Sequence, residues 1–199
     1  KDVNNKLIDT ISKNNKICNH IHLPLQSGSD RILFDMKRGY TQKKYLEKVR
    51  IIKNNNKDIS ITTDVIVGFP GETDEDFKAT LDVINKVKFD SIFMYKFSSR
   101  PGTIADTMKN KFIDKSIIDN RFNTLKNIQT SISKEQLSRF IGNNLEVLID
   151  GPSKNNKNKS SGRTDSNHIV ILNELIEPNT IIKSKITSNT PFVLYGKIQ

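Results

Sequence analysis

Few residues in this 199-residue chain are of a type and spacing that could do chemistry. His20 and His22 stand two apart in the alternating stretch His-Ile-His-Leu-Pro-Leu and so share one face of a strand. Such a pair can ligate a metal. No further His or Cys lies nearby in sequence to finish a site, so the expectation is that one of them packs or hydrogen-bonds at the strand end. The lone Cys18 reads as a buried small hydrophobe, and a single cysteine excludes both an internal disulfide framework and a cysteine-built metal cluster held by this chain alone. Gln26, Ser27, Asp64, Gly68 and Arg100 differ, because each falls at or near the C-terminal end of a predicted strand, where ligands sit in parallel α/β folds. Gln and Asp side chains there can hydrogen-bond a ribose, and Gly68 can admit an adenine against flat backbone. On the residues alone a second reading stands beside this one: Gln26 and Asp64 cap the next turns, and Gly-Phe-Pro-Gly is only a tight turn.

The elements that must position these residues are βα units. Residues 59–67 are a β-branched run broken sharply by Gly68, Pro70 and Gly71, which predicts a strand buried on both faces. Thr73 to Asp76 then form a capping box with acids in the first turn, opening an amphipathic helix through Phe77, Leu81, Ile84 and Val87. Upstream, the spacing predicts a helix over residues 1–15 ending at Asn14-Asn15 and a strand over 20–25. It then predicts a short helix over 30–37 capped by Ser29 or Asp30, and a helix capped by Thr41 with Tyr45, Val49 and Ile52 on one face. Residues 90–97 read as a third strand. Three parallel strands cannot close a barrel, so the missing strands are expected upstream of Lys1. A chain that opens on Lys1 without Met reads as a fragment.

A long helix over 115–141, with Gly142 as its stop, leads into a different pattern. Short strands at 145–149, 168–172, 181–186 and 192–195 are separated by Gly, Asn, Ser and Pro turns, as in a small all-β barrel. The expected boundary near Glu135 divides the chain into units 1–135 and 136–199. Lys154, Lys157, Lys159 and Arg163 fall in a Ser/Asn/Gly-rich loop suited to RNA phosphates and 2′-hydroxyls. The chain carries 32 Lys plus Arg against 22 Asp plus Glu, a formal +10, which points to a polyanionic partner. With no membrane-length apolar run and no signal-peptide pattern, a cytoplasmic protein is expected.

Together HIHLPLQSGS (from His20), Lys37-Arg38-Gly39-Tyr40-Thr41, DVIVGFPGET (from Asp64) and FSSRPGTIA (from Phe97) resemble the radical S-adenosylmethionine methylthiotransferases. Gly151-Pro152-Ser153-Lys154 and Ser161-Gly162-Arg163-Thr164 resemble the RNA-binding TRAM domain appended in that family. The resemblance implies the C-terminal part of an open (β/α) radical-SAM barrel followed by a small all-β TRAM barrel. Within it, S-adenosylmethionine would meet Gln26 and Asp64 at the ribose and Ile66 with Gly68 at the adenine. Ser27 would lie beside Gln26, Pro70 and Gly71 would shape that wall, and Arg100 would stand at the mouth. The implied activity is methylthiolation of isopentenyladenosine beside the anticodon of tRNA, with the anticodon stem-loop as partner. Arg100-Pro101-Gly102-Thr103 and Gly162-Arg163-Thr164 favour that branch over threonylcarbamoyl-adenosine or a ribosomal protein.

One departure from the family bears on activity. The family holds two 4Fe-4S clusters on a CxxxCxxC motif and on three cysteines of an N-terminal domain, and neither set occurs here. A chain without those thiolates cannot start the cofactor's reductive chemistry, so the segment is expected to be inactive alone, its partner being the missing N-terminal part of the same enzyme. The competing reading is a stand-alone RNA-binding protein that keeps a remnant barrel.

Overall fold

The computed structural model describes residues 3–14, 16–56 and 58–199. Of the predicted first helix, residues 1, 2 and 15 lie outside the described residues, and the helix itself, α1 (Asn5–Lys13), is capped by the Asn4 side chain. Strand β1 (His20–His22), helices α2 (Asp30–Asp35) and α3 (Gln42–Asn55), strand β2 (Ser60–Val67), helix α4 (Asp74–Val87) and strand β3 (Ser91–Lys96) come next. The strands form a parallel sheet in the order β1-β2-β3, in which Thr62 pairs with His22 on one side and Ser91 on the other.

The caps lie where the sequence puts them. Ser29 caps α2, Thr41 caps α3, and Thr73 with Asp76 closes a reciprocal capping box on α4. Asp30, the alternative cap for α2, instead accepts from the backbone of Gln42. Strand β1 is shorter than predicted, because Pro24 has no N–H to donate. The chain nevertheless stays beside β2 through Leu23 N to Thr62 O and a lone bridge from Gln26 to Val65.

The two faces of the sheet differ. Ile21, Ile61, Val65, Val67 and Ile92 point to the helix side and pack with Tyr45, Val49 and Ile52 of α3 and Phe77, Ile84 and Val87 of α4. Burial of each such side chain contributes about 1.5–3 kcal/mol. The opposite face carries His20, His22, Thr62, Asp64, Ile66, Phe93 and Tyr95, with Phe93 52% and Tyr95 51% exposed. The expectation of a strand buried on both faces holds over residues 60–63, where Ser60 and Thr62 are buried as well, and departs only at Asp64 and Ile66, which are half-buried. Cys18 also departs from expectation: it is exposed in the turn before β1.

Beyond β3, helix α5 (Ile104–Thr107) and a short 3-10 turn lead to α6 (Lys115–Ser138). Leu125 and Ile132 of α6 pack into the sheet's core, whereas Leu137 in its last turn packs into a second apolar cluster with Val147, Ile149, Val170, Leu172 and Leu194. The helix ends short of Gly142, whose N–H donates to Ile186 O. Ile186 belongs to a closed barrel of β4 (Asn144–Pro152), β5 (Ser160–Arg163), β6 (Ile169–Leu172), β7 (Ile181–Asn189) and β8 (Leu194–Ile198), ordered β4-β5-β6-β8-β7. Strand β5 is a correction: its Ser-Ser-Gly-Arg lacks β-branched residues and reads as loop, yet it pairs with β4 and β6, and the buried Ser160 hydroxyl accepts from Ile176 N. Arg163 is thus a strand residue.

Gly28 shows how tightly the turn after β1 is seated. Its N–H donates to Thr80 Oγ1 at 2.9 Å, and a Cβ there would lie 2.4 Å from Ala79 O and 2.5 Å from Thr80 Cα, both backbone atoms of α4. Gly28→Ala is expected to destabilise the chain by about 1–3 kcal/mol, the cost of overpacking. Gly39→Ala, with nothing within 4 Å of the added carbon, is expected to be neutral or to stabilise by about 0.5 kcal/mol. Urea unfolding of the two variants checks this, and equal midpoints would contradict it.

Candidate functional site

Each strand ends in a turn, and the turns are tied to one another before any ligand is considered. The carboxylate of Asp76, in the first turn of α4, accepts from the Ser29 hydroxyl, from Arg31, and from both the N–H and the hydroxyl of Thr73. Arg31 also donates to Gly71 O at 2.7 Å. The turn after β1 is thereby fastened to the turn after β2. Burial works to raise the Asp76 pKa, but the donors from Ser29, Thr73 and Arg31 together outweigh it and hold the group at about 2.

The glycine turn is held from behind as well. Glu72, buried, accepts from Gly68 N at 2.8 Å and from Arg121 of α6 at 2.9 Å, while Arg121 also reaches Glu72 O and Asp74. Burial pushes the Glu72 carboxyl above its ordinary value, against the Gly68 N–H and the Arg121 charge. Gly68 has φ +78°, and its missing Cβ faces Ile118 of α6, which it would meet at 2.5 Å. The positive φ and the helix behind it both require glycine at this position.

In front of these turns a cavity of about 820 Å³ opens at the C-terminal ends of the strands. Of the expected set, the structure brings Gln26, Asp64, Ile66 and Arg100 together on its wall. Ser27, Gly68, Pro70 and Gly71 are not on that wall. Ser27 is fully buried against Thr80 and Ser29, and the other three lie in the turn after β2, where Gly68 faces Ile118 and Gly71 faces Lys111 and Arg31. Gln26 is 6% exposed and holds a left-handed φ of +66°, rare for a residue with a side chain, fixed by Gln26 N to Asp64 O and Ile66 N to Gln26 O. Arg100 is exposed in a turn closed by Thr103, which donates to Arg100 O. Phe97 between the rings of Phe69 and Phe112 pins the strand end before it.

Sequence reasoning did not single out Lys37, Arg38, Tyr95 and Ile104, which also line the cavity. Lys37 and Arg38 had a signal, as part of the quoted Lys-Arg-Gly-Tyr-Thr block, whereas Tyr95 is placed there by its register with Ile66. Both histidines of β1 are hydrogen-bonded, His20 Nε2 and His22 Nδ1 to Thr62 Oγ1 and His22 Nε2 to Asp64. Among the described residues no cluster of three His, Cys, Asp or Glu could hold a metal ion, so the residues present do not fit an iron–sulfur cluster. No described helix is long and apolar enough to cross a membrane.

The other expected set lies on the small barrel. Lys154, Lys157 and Lys159 sit in the β4–β5 turn, which Ser153 N closes on Lys159 O, while Arg163 on β5 meets Asp150 at 3.4 Å and donates to Asn167. That turn is at the far end of the hairpin from His168, where the barrel meets the N-terminal end of β3: Asp90 lies 3.2 Å from Arg139 and 3.6 Å from His168. The lysine turn and the strand-end cavity are thus not brought together by a shared element.

Known proteins are similar to this sequence. Residues 2–84 match the family model described as Radical SAM superfamily. Over its whole length the chain is 44% identical to the tRNA-2-methylthio-N(6)-dimethylallyladenosine synthase of Fusobacterium nucleatum, of which it covers 46%. It is 40% identical to the enzyme of the same name from Moorella thermoacetica, of which it covers 45%. Another from Syntrophus aciditrophicus is 46% identical over 170 residues, 85% of this chain and 37% of that one. The chain spans less than half the length of these curated relatives.

The ties between the turns make two checks available. The depressed pKa of Asp76 gives stability that is complete above the ordinary carboxylate value of 3.8 and lost as pH falls toward about 2. Between those limits the chain is expected to lose on the order of 2 kcal/mol through this group, and Asp76→Asn to be less stable at pH 7 with that part of the acid sensitivity gone. Arg121→Met, which strands the Glu72 charge, is expected to cost about 3 kcal/mol or more, with part recovered in Arg121→Met/Glu72→Gln. Denaturant midpoints across pH read both, and an unchanged midpoint for Arg121→Met would contradict the second.

Proposed function

We propose a function that starts from kinship: the chain belongs to the radical S-adenosylmethionine methylthiotransferase family. In this reading it is the C-terminal segment of a tRNA methylthiotransferase that converts N6-isopentenyladenosine beside the anticodon to its 2-methylthio derivative. The observation that carries the reading is the convergence of Gln26, Asp64, Ile66 and Arg100 on one cavity at the strand ends.

Residues 1–135 are assigned to the C-terminal part of an open (β/α) barrel and residues 136–199 to a TRAM domain. The cavity's chemistry suits a nucleoside cofactor. The half-buried Asp64 carboxylate accepts and the Gln26 amide both donates and accepts, which fits ribose hydroxyls, and the Ile66 side chain offers an apolar seat for adenine. When bound, S-adenosylmethionine and the two 4Fe-4S clusters supply the reductive chemistry. This chain's own residues bind and orient. Ser27, Gly68, Pro70 and Gly71 act in this reading by holding the turns in shape, and Arg100 is a cation at the mouth. The cluster thiolates are assigned to the remainder of the full-length enzyme, and the place of action to the cytoplasm.

The RNA partner is proposed as the anticodon stem-loop. Support comes from the formal +10 and from Lys154, Lys157, Lys159 and Arg163 on the barrel. A barrel loop of this composition holds phosphates, whose release of counterions makes affinity fall with salt.

Two measurements on the full-length enzyme test this reading. Asp64→Ala is expected to weaken S-adenosylmethionine binding about tenfold or more, as loss of a charged hydrogen-bond acceptor does, while the cluster absorbance stays normal. Unchanged binding would remove the cofactor role. Replacing Lys154, Lys157 and Lys159 by Ala is expected to lower tRNA affinity and to reduce the salt slope by about two, the share of three phosphate contacts on a single strand. An unchanged slope would remove the barrel turn from the RNA surface.

A further inference from the structure

We propose that His22 is a positioning residue for Asp64, the last donor in a hydrogen-bond relay along the open face of the sheet. The relay runs from His20 Nε2 to Thr62 Oγ1 at 2.9 Å, from Thr62 Oγ1 to His22 Nδ1 at 3.0 Å, and from His22 Nε2 to Asp64 Oδ2 at 3.3 Å. Its members come from facing positions of β1 and β2, where His20 is in register with Ser60 and His22 with Thr62, so alternation turns all four side chains to one face.

The order of protons is set by the acid at the end. An ionised carboxylate only accepts, so His22 presents Nε2–H to Asp64. In a neutral imidazole that leaves Nδ1 bare, and the Thr62 hydroxyl donates to it. With its single proton committed there, Thr62 Oγ1 accepts from His20, whose Nε2 carries hydrogen. Burial, with His22 nearby, lowers the pKa of His20 against the pull of Asp90, which agrees with a neutral ring at that place. A doubly protonated His22 would donate from Nδ1 to Thr62 Oγ1, which can accept from both rings, and would keep the bond from Nε2–H to Asp64. In either state one carboxylate oxygen of Asp64 is fastened and the other is left for the cavity.

Two further observations favour orientation over accident. Among the described residues His22 is the one side chain that hydrogen-bonds the Asp64 carboxylate. The His22 ring is itself braced edge-on by Phe93 of β3, with ring centroids 5.7 Å apart at 73°. His22 does not line the cavity, whereas Asp64 does. Its effect on a ligand there must pass through Asp64.

The proposal rests on the reading that Asp64 holds the cofactor's ribose, and the test separates the two. S-adenosylmethionine binding is measured by calorimetry on the full-length enzyme and on Asp64→Ala, His22→Ala, His22→Gln, Thr62→Val and His22→Ala/Asp64→Ala variants, with cluster absorbance and melting temperature as checks on folding. The relay requires His22→Ala to weaken binding about threefold to tenfold, the range for one lost supporting hydrogen bond. It also requires His22→Gln, whose amide nitrogen can replace Nε2, to restore binding to within about twofold, and no further loss when His22→Ala is added to Asp64→Ala. Thr62→Val keeps the shape of the strand and is expected to weaken binding to a lesser degree, so it carries the test if His22→Ala fails to fold. A loss from His22→Ala that is undiminished in the Asp64→Ala background, or no loss beside a large one for Asp64→Ala, overturns the proposal alone. Normal binding by Asp64→Ala overturns the cofactor reading, and the positioning role falls with it.

Discussion

The carboxylate of Asp76 is where the geometry of this molecule is decided. Four hydrogen bonds reach it, and they come from both turns that border the cavity: Ser29 and Arg31 from the turn after β1, Thr73 from the turn after β2. Leu25 and Phe69 bury apolar bulk in the two turns, and the carboxylate ties one turn to the other. The carboxylate thereby sets the separation of the two turns across the cavity, while Gln26 is held to β2 by its own backbone bonds to Asp64 and Ile66. The Glu72–Arg121 pair does the same service from the opposite side, fastening Gly68 to α6 in a place that water does not reach. Such buried ion pairs are poor contributors to net stability, because desolvation consumes most of their attraction. Their value here lies in direction: the guanidinium meets a carboxylate and a backbone carbonyl of one turn together, and only one arrangement of that turn satisfies it.

The same sheet is used differently at its two ends. At the C-terminal end the open face presents Asp64, Ile66 and Tyr95 to a cavity, and at the N-terminal end Asp90 receives Arg139 and His168 from the helix end and the small barrel. The Arg139 guanidinium also lies 4.9 Å from the Phe140 ring centroid, and Phe140 packs on His168, so charge and aromatic surface are shared across the junction. The junction is reinforced by Asn189, which donates to Lys134 O of α6. Helix α6 runs the length of this arrangement. It supplies Arg121 to the cavity turn, Leu125 and Ile132 to one core, and Leu137 to the other.

Local chemistry was legible in the sequence and distant chemistry was not. Thr41, Thr73 and Asp76 announce their helices because a cap is a contact over three residues, and the βα order of the chain is set by periodicity. The convergence of Gln26, Asp64 and Arg100 was also legible, since strand ends in a parallel sheet meet at one rim. What alternation alone cannot reveal is which way a turn faces. Ser27 and Gly68 look like ligand contacts by position, yet Ser27 turns inward to Thr80 and Gly68 turns its bare side to Ile118, far along the chain on α6. Strand β5 escaped notice for a related reason: Ser160 and Arg163 have no strand propensity of their own and are held by pairing on both sides. Arg121, which fastens the cavity turn, had no sequence signal, because its partners lie 47 and 49 residues away.

Methylthiolation of isopentenyladenosine beside the anticodon, by an enzyme of which this chain is a part, is tested most directly by mass spectrometry of tRNA nucleosides. The cells compared lack the whole gene that encodes the chain, with the gene restored as control. The proposed activity requires the 2-methylthio nucleoside to vanish, isopentenyladenosine to accumulate in its place, and restoration to reverse both. Nucleosides unchanged by the loss of the gene would contradict it.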